Sequence, residues 1–130
     1  MGRTPDARQL GARERQIMDA IFQLGEASVT DVRERLADPP SYSAVRTMIG
    51  YLERKGLLKH RRAGIKYVYR PTQSTETASR SALKHLLQTF YRQSPADAVA
   101  AILEVASGEL TEHELRKIES SIEQARKDGR

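Results

Sequence analysis

Residues 41–71 read SYSAVRTMIGYLERKGLLKHRRAGIKYVYRP, and the hydrophobic period changes inside them. At first the apolar positions recur at helical spacing. Val45, Met48, Ile49 and Leu52 fall at i, i+3, i+4 and i+7, which is one buried helix face. Ser41 follows Pro39-Pro40 and can cap the first turn with its hydroxyl. Gly56 can take the left-handed conformation that ends a helix. The spacing therefore predicts a helix over 41–55. After Gly56 the period drops to two. Residues 57–62 and 65–70 read as strands, with Ala63-Gly64 as the turn, Tyr67 and Tyr69 on one strand face, and Pro71 ending the pairing.

The face of this helix opposite the apolar stripe carries Ser43, Arg46, Thr47, Gly50 and Arg54. It is polar and short-chained near its start and basic at its end. Such a face suits a DNA major groove, where hydroxyls and a guanidinium reach base edges and the last turn meets phosphate. On this helix alone, an ordinary solvated face explains the pattern equally well. The hairpin changes the balance. Residues 54–70 hold seven basic side chains (Arg54, Lys55, Lys59, Arg61, Arg62, Lys66, Arg70) and no acid. A local cationic field of that kind favours a polyanion such as nucleic acid. A membrane surface calls for an amphipathic basic helix, and this segment is β-patterned.

Outward from this stretch, residues 12–24 read as a first helix. Ile17, Ile21 and Leu24 form its stripe, widened by Met18 and Phe22, with Gly11 before it and Gly25 after it. Residues 26–28 make a connector able to donate a small strand. Ser28 then caps a second helix over 29–37, with Asp31 completing a capping box and Val29, Val32 and Leu36 facing inward. Asp38-Pro39-Pro40 stops it. Three helices and a basic hairpin, in that order, make a winged helix-turn-helix, the hairpin being the wing. The plain alternative is a small α+β core with a solvated basic hairpin.

Downstream, residues 72–77 are polar and rich in Ser and Thr, a hinge. A helix over 76–93 carries Leu83, Leu86, Leu87 and Phe90 on one side. Ser94-Pro95-Ala96-Asp97 starts another, over 95–106, whose AVAAILEVA run (Val99, Ile102, Leu103, Val105) is apolar nearly all round. Thr111 to Glu114 form a capping box that opens a last helix to about residue 127, striped by Leu115, Ile118 and Ile122. Three short helices bury that much apolar surface poorly by themselves. A second copy of the chain is the simplest cover, and twofold pairing would set two winged domains on one duplex. The expected fold is mostly α with a small β wing: a winged helix-turn-helix domain at 1–71 and a three-helix dimerisation domain at 72–130.

The chain has 130 residues and a net charge of +5, unevenly spread. Residues 1–71 hold 14 Lys/Arg against eight Asp/Glu, whereas 72–130 hold eight against nine. Residues 1–10 are polar, expected to fray, and lack the apolar core of a signal peptide. No apolar run approaches a membrane span. Without cysteine there is no disulfide and no thiolate metal site, so the cytoplasm is the expected compartment. His113-Glu114 starts like a zinc helix, but Lys117 stands where the second histidine belongs, and the capping role explains Glu114. His60 and His85 have no ligand partner at metal spacing. Glu109, Glu112, Glu114, Glu119 and Glu123 lie beside Arg116, Lys117 and Lys127 and read as solvated pairs rather than an acid/base couple. No phosphate loop or nucleophile elbow is present, so neither an enzyme nor a cofactor is expected.

The segments LGARERQIMDAIFQLGEASVTDVRERL and SYSAVRTMIGYLERKGLLKHRRAGIKYVYRP resemble the bacterial penicillinase-repressor family (the BlaI/MecI/CopY group). The resemblance covers nearly the whole chain. It is most specific at LGEASVTDV, RTMIGYLERKGLL and KYVYRP, and rests on length and apolar pattern in the C-terminal helices. It implies a dimeric transcriptional repressor that binds an inverted-repeat operator and dimerises through those helices. Carried over by position, Ser41, Tyr42, Ser43, Arg46 and Thr47 are the groove-facing residues and Arg61, Arg62 and Lys66 the wing contacts. The face analysis adds Arg54 as a phosphate contact. The copper-responsive branch uses a C-terminal cysteine motif, which this chain lacks. The antibiotic-responsive branch is released by cutting an Asn-Phe bond, and the corresponding place here is close to Leu103-Glu104. The inducer, a protease or another signal, is thus unassigned. Better-known members carry lysine or threonine where this chain has Ser43 and Ala44, so the operator differs accordingly. A winged protein-interaction module without specific DNA binding is the functional alternative.

Overall fold

The computed structural model describes residues 10–129. Its elements are α1 (Ala12–Leu24), α2 (Val29–Arg35), α3 (Tyr42–Arg54), β1 (Leu58–Ala63), β2 (Lys66–Pro71), α4 (Thr75–Phe90), α5 (Pro95–Val105) and α6 (Glu112–Gly129). The chain is mostly helical, with one two-stranded antiparallel sheet as the wing. It forms two compact units, one ending at Arg80 and the other beginning at Ser81. The polar segment expected to fray lies, through residue 9, outside the described residues. Leu10 departs from that expectation: it is buried and belongs to the core.

The first unit is built on the stripes that the periodicity marks. Ile17 and Ile21 of α1, Val32 of α2, and Val45, Ile49 and Leu52 of α3 are all fully buried, joined by Leu57, Leu58 and Tyr69 from the hairpin side. Each such aliphatic side chain contributes about 1.5–3 kcal/mol relative to exposure. Met48 is only partly buried, at the rim. The caps hold the helices in place. Ser28 Oγ accepts from the Asp31 amide at 3.1 Å, while the Ser28 amide donates to the Asp31 carboxylate at 3.0 Å. Hydrogen bonding of the carboxylate by the Ser28 amide, and then by the Ser28 side chain, holds the Asp31 carboxyl below its ordinary value. The second helix is two residues shorter than its pattern predicts. Leu36 turns extended to drop its side chain into the core, and Asp38 takes φ +51° ahead of the two prolines, where a helical conformation is disfavoured.

α3 ends in a Schellman motif. Gly56 has φ +86°, its amide donates to Glu53 O at 2.9 Å, and the Leu57 amide reaches back to Leu52 O at 3.0 Å. Leu52 and Leu57 then lie together in the core, the apolar contact that accompanies this cap.

The hairpin register is one residue later than the sequence suggests. Ala63 pairs with Lys66, so the turn is Gly64-Ile65 rather than Ala63-Gly64. A two-residue hairpin turn needs positive φ at its first central position; Gly64 supplies it at +70°, and an alanine there would be strained. Tyr67 and Tyr69 do share a face, and His60 stacks across to both, with ring centroids 4.5 and 5.6 Å away. In place of the small strand, the connector makes a one-residue bridge: Ala27 pairs with Tyr69 through bonds of 2.9 and 2.7 Å.

In the second unit the predicted start signals form their caps. Ser94 Oγ accepts from the Asp97 amide at 3.2 Å, with Pro95 in the first turn. Thr111 and Glu114 exchange bonds of 3.1 and 3.0 Å. α4 begins one residue earlier and ends three residues earlier than its pattern. Among the apolar side chains of the second unit only Ala98, on α5, is buried. Leu83, Leu86, Phe90, Val99, Ile102, Leu103, Val105, Leu115 and Ile122 are exposed, and Leu87 and Ile118 half-buried.

Candidate nucleic-acid interface

The entry to α3 is fixed from two sides. Arg33 Nε donates to Pro40 O at 2.7 Å, and Arg13 Nη2 reaches Asp38 O at 3.4 Å. Ser41 then caps the helix, its Oγ accepting from the Ala44 amide at 3.2 Å and lying 3.4 Å from Ser43 Oγ. With the start pinned and Val45, Ile49 and Leu52 buried, helical geometry turns Tyr42, Ser43, Arg46 and Thr47 outward, and all four are exposed. Among the described residues the Arg46 side chain makes no hydrogen bond or salt bridge, though its charge acts on Tyr69. Gly50, on the same face, leaves room for Arg54, whose Nη1 lies 3.7 Å from where a Cβ would stand. The Arg54 guanidinium also lies 5.8 Å from the centroid of the exposed Tyr51 ring.

The wing lies against this helix. His60 Nδ1 on β1 meets the Glu53 carboxylate on α3. Burial pushes the Tyr69 phenol up, Glu53 adds to the rise, and Arg46 pulls against it.

The wing cations differ in what they touch. Arg62 lies 5.6 Å over the Tyr67 ring, and Lys66 stands exposed beside the turn. Arg61 is engaged: its Nε and Nη2 donate to the two carboxylate oxygens of Glu26, each at 2.8 Å. That hydrogen-bonded pair lowers the Glu26 carboxyl and raises the Arg61 guanidinium from their ordinary values. Sequence reasoning did not find Glu26, because 35 residues separate the partners and no spacing rule joins them. Lys59 and Arg70, also part of the basic run, pair across the strands and are both exposed. Lys55, by contrast, lies 4.4 Å over the Tyr51 ring and 3.8 Å from Glu14.

No group of His, Cys, Asp and Glu able to hold a metal occurs among the described residues, and no helix among them is long and apolar enough to cross a membrane. What the surface offers is hydroxyls, a phenol and an unpaired guanidinium on one helix, bordered by ammonium and guanidinium groups. These are donors suited to base edges and to phosphate.

A model of the penicillinase repressor family matches residues 10–124. Among solved structures, the hsRosR-S4 complex superposes with a TM-score of 0.63 at 17% identity, covering 80% of this chain and 92% of that one. At that identity the likeness bears on the fold. The CopR repressor is 31% identical over 51% of this chain and 99% of its own, with a TM-score of 0.44. BpsR of Bordetella bronchiseptica, whose DNA binding is regulated by 6-hydroxynicotinic acid, is 21% identical over 92% of this chain and 76% of its own, with a TM-score of 0.47. No curated protein is similar enough to match. From Leu10 through the C-terminal helices, the chain belongs to the penicillinase repressor family of DNA-binding transcriptional regulators, which are not enzymes.

Proposed function

We propose that the chain is a dimeric repressor that recognises an inverted-repeat operator. Residues 1–71 bind DNA and 72–130 pair with a second copy. In this reading α3 enters the major groove, where Ser43, Arg46 and Thr47 meet base edges while Ser41 and Tyr42 meet the backbone beside it. Arg54, Arg62 and Lys66 hold phosphates on either side. Arg61 contributes through the shape of the wing, since its donors face Glu26. The observation that carries this reading is the pairing of an unengaged Arg46 on an exposed helix face with a wing that has no acid over residues 54–70. In the C-terminal unit, the exposed apolar side chains of α4, α5 and α6 support pairing, Phe90 and Val105 most of all at 73% and 84% exposure.

The test is binding to the DNA immediately upstream of the chain's own gene, by footprinting and by gel shift over a range of salt. Operator affinity should fall steeply with salt, because several phosphate contacts release counterions. Replacing Arg46 with alanine should cost about 1–3 kcal/mol on the operator and relax preference at one base pair. Equal losses on operator and random duplex would remove its base-reading role. No binding at low salt would favour a protein-interaction module instead.

A further inference from the structure

The loop between β1 and β2 is only two residues long, Gly64 and Ile65. Gly64 has positive φ and Ile65 does not, the sign pattern of a type II′ turn. So short a turn holds its second side chain away from both strands, and Ile65 is 99% exposed. A lone surface isoleucine means little by itself. This one stands at the far end of two six-residue strands, with exposed Arg62 and Lys66 close on either side of it in the chain. Turn positions ordinarily carry Gly, Asn, Asp or Ser, so a bare β-branched side chain there serves the fold poorly. An apolar point rimmed by cations is the composition that minor-groove binders use, with cations on the phosphate walls and an apolar side chain between them. The reach also fits. Six strand residues span about 20 Å, and the neighbouring minor groove lies about half of a 34 Å helical turn from the major-groove centre.

Resting on the reading that the chain binds duplex DNA, we propose that Ile65 is an apolar probe of the minor groove, seated against sugar and base edges while Arg62 and Lys66 hold the phosphates beside it. The minor groove distinguishes A·T from G·C chiefly through the guanine amino group. A side chain with no acceptor disfavours that group. The wing tip thus adds a preference for A·T pairs outside the bases that α3 reads.

The test uses the full-length protein and a labelled duplex from the region upstream of its own gene. Ile65→Ala should weaken binding about threefold to tenfold, from lost apolar contact. The slope of affinity against salt should not change, since no counterion is released. Lys66→Ala should instead make that slope shallower by about one. Exchanging the flanking guanines for inosine removes the amino group and should tighten the parent more than Ile65→Ala. The proposal is overturned if Ile65→Ala binds like the parent while Arg46→Ala is weakened, which leaves DNA reading intact and the tip idle. It is overturned equally if Ile65→Ala alters the salt slope, or if its loss appears only with a protein partner. Should the parent bind no duplex at low salt, this proposal and the reading beneath it fall together.

Discussion

Arg61 shows how a single contact alters the meaning of a basic residue. As sequence it is one of seven cations in a row; in the folded chain both its forward donors face Glu26. Removing Arg61 alone leaves an unpaired carboxylate beside the wing, which repels phosphate whatever the bases. Arg61→Ala should therefore weaken operator and random DNA alike. Glu26→Gln should do the opposite, freeing a cation and steepening the salt slope by about 0.9. The double variant should return close to the parent, and filter binding of the four proteins measures this coupling. The pair also leaves a trace in acid. Glu26 is held below its ordinary value of 4.5, so the unfolded chain takes up that proton first as pH falls. The stability it supplies is complete above the ordinary value and lost as pH drops through the lowered one. The difference in melting temperature between parent and Glu26→Gln should be present at neutral pH and vanish well below 4.5.

At the scale of elements, α3 was the most legible part of the chain because its signals are local and agree. Ser41 caps, Val45, Ile49 and Leu52 are spaced for one face, and Gly56 ends the helix. Gly56→Ala should destabilise the first unit by about 1–2 kcal/mol, since alanine pays for a left-handed backbone; a thermal melt reads this directly. Its wider effect is on aim, because the Schellman turn sets the angle at which the chain leaves α3 for the wing. The hairpin was legible as a hairpin but not to the residue. Ala63-Gly64 and Gly64-Ile65 both look like turns, and only the φ sign at the first position decides between them. The end of α2 is hidden in the sequence for a similar reason: Leu36 keeps its place in the stripe while its backbone has already left the helix. The contacts between elements, Glu26 with Arg61 and Glu53 with His60, were not legible at all, since nothing local marks a partner across the fold.

For the whole molecule, the apolar excess of the last three helices was visible in composition, and the folded unit keeps most of it at the surface. Replacing Ile102 and Val105 with glutamate should convert a dimer at micromolar concentration to a monomer by sedimentation, because paired faces would bury those charges. The first unit should keep its melting transition. Operator affinity should drop by about 10²–10⁴, the gain that two linked binding modules ordinarily provide. A parent that sediments as a monomer would remove this account of the C-terminal half.

The Ala27–Tyr69 bridge has one more effect. It pairs the outer edge of β2 at one residue, whereas among the described residues no strand or bridge pairs with the outer edge of β1. An open flank invites another chain to add a strand and begin aggregation. Here that flank is a short strand carrying Lys59, Arg61 and Arg62, all exposed. Like charges facing one another across two such strands would repel. The cations suited to a polyanion thus also keep free copies of the protein from zipping together.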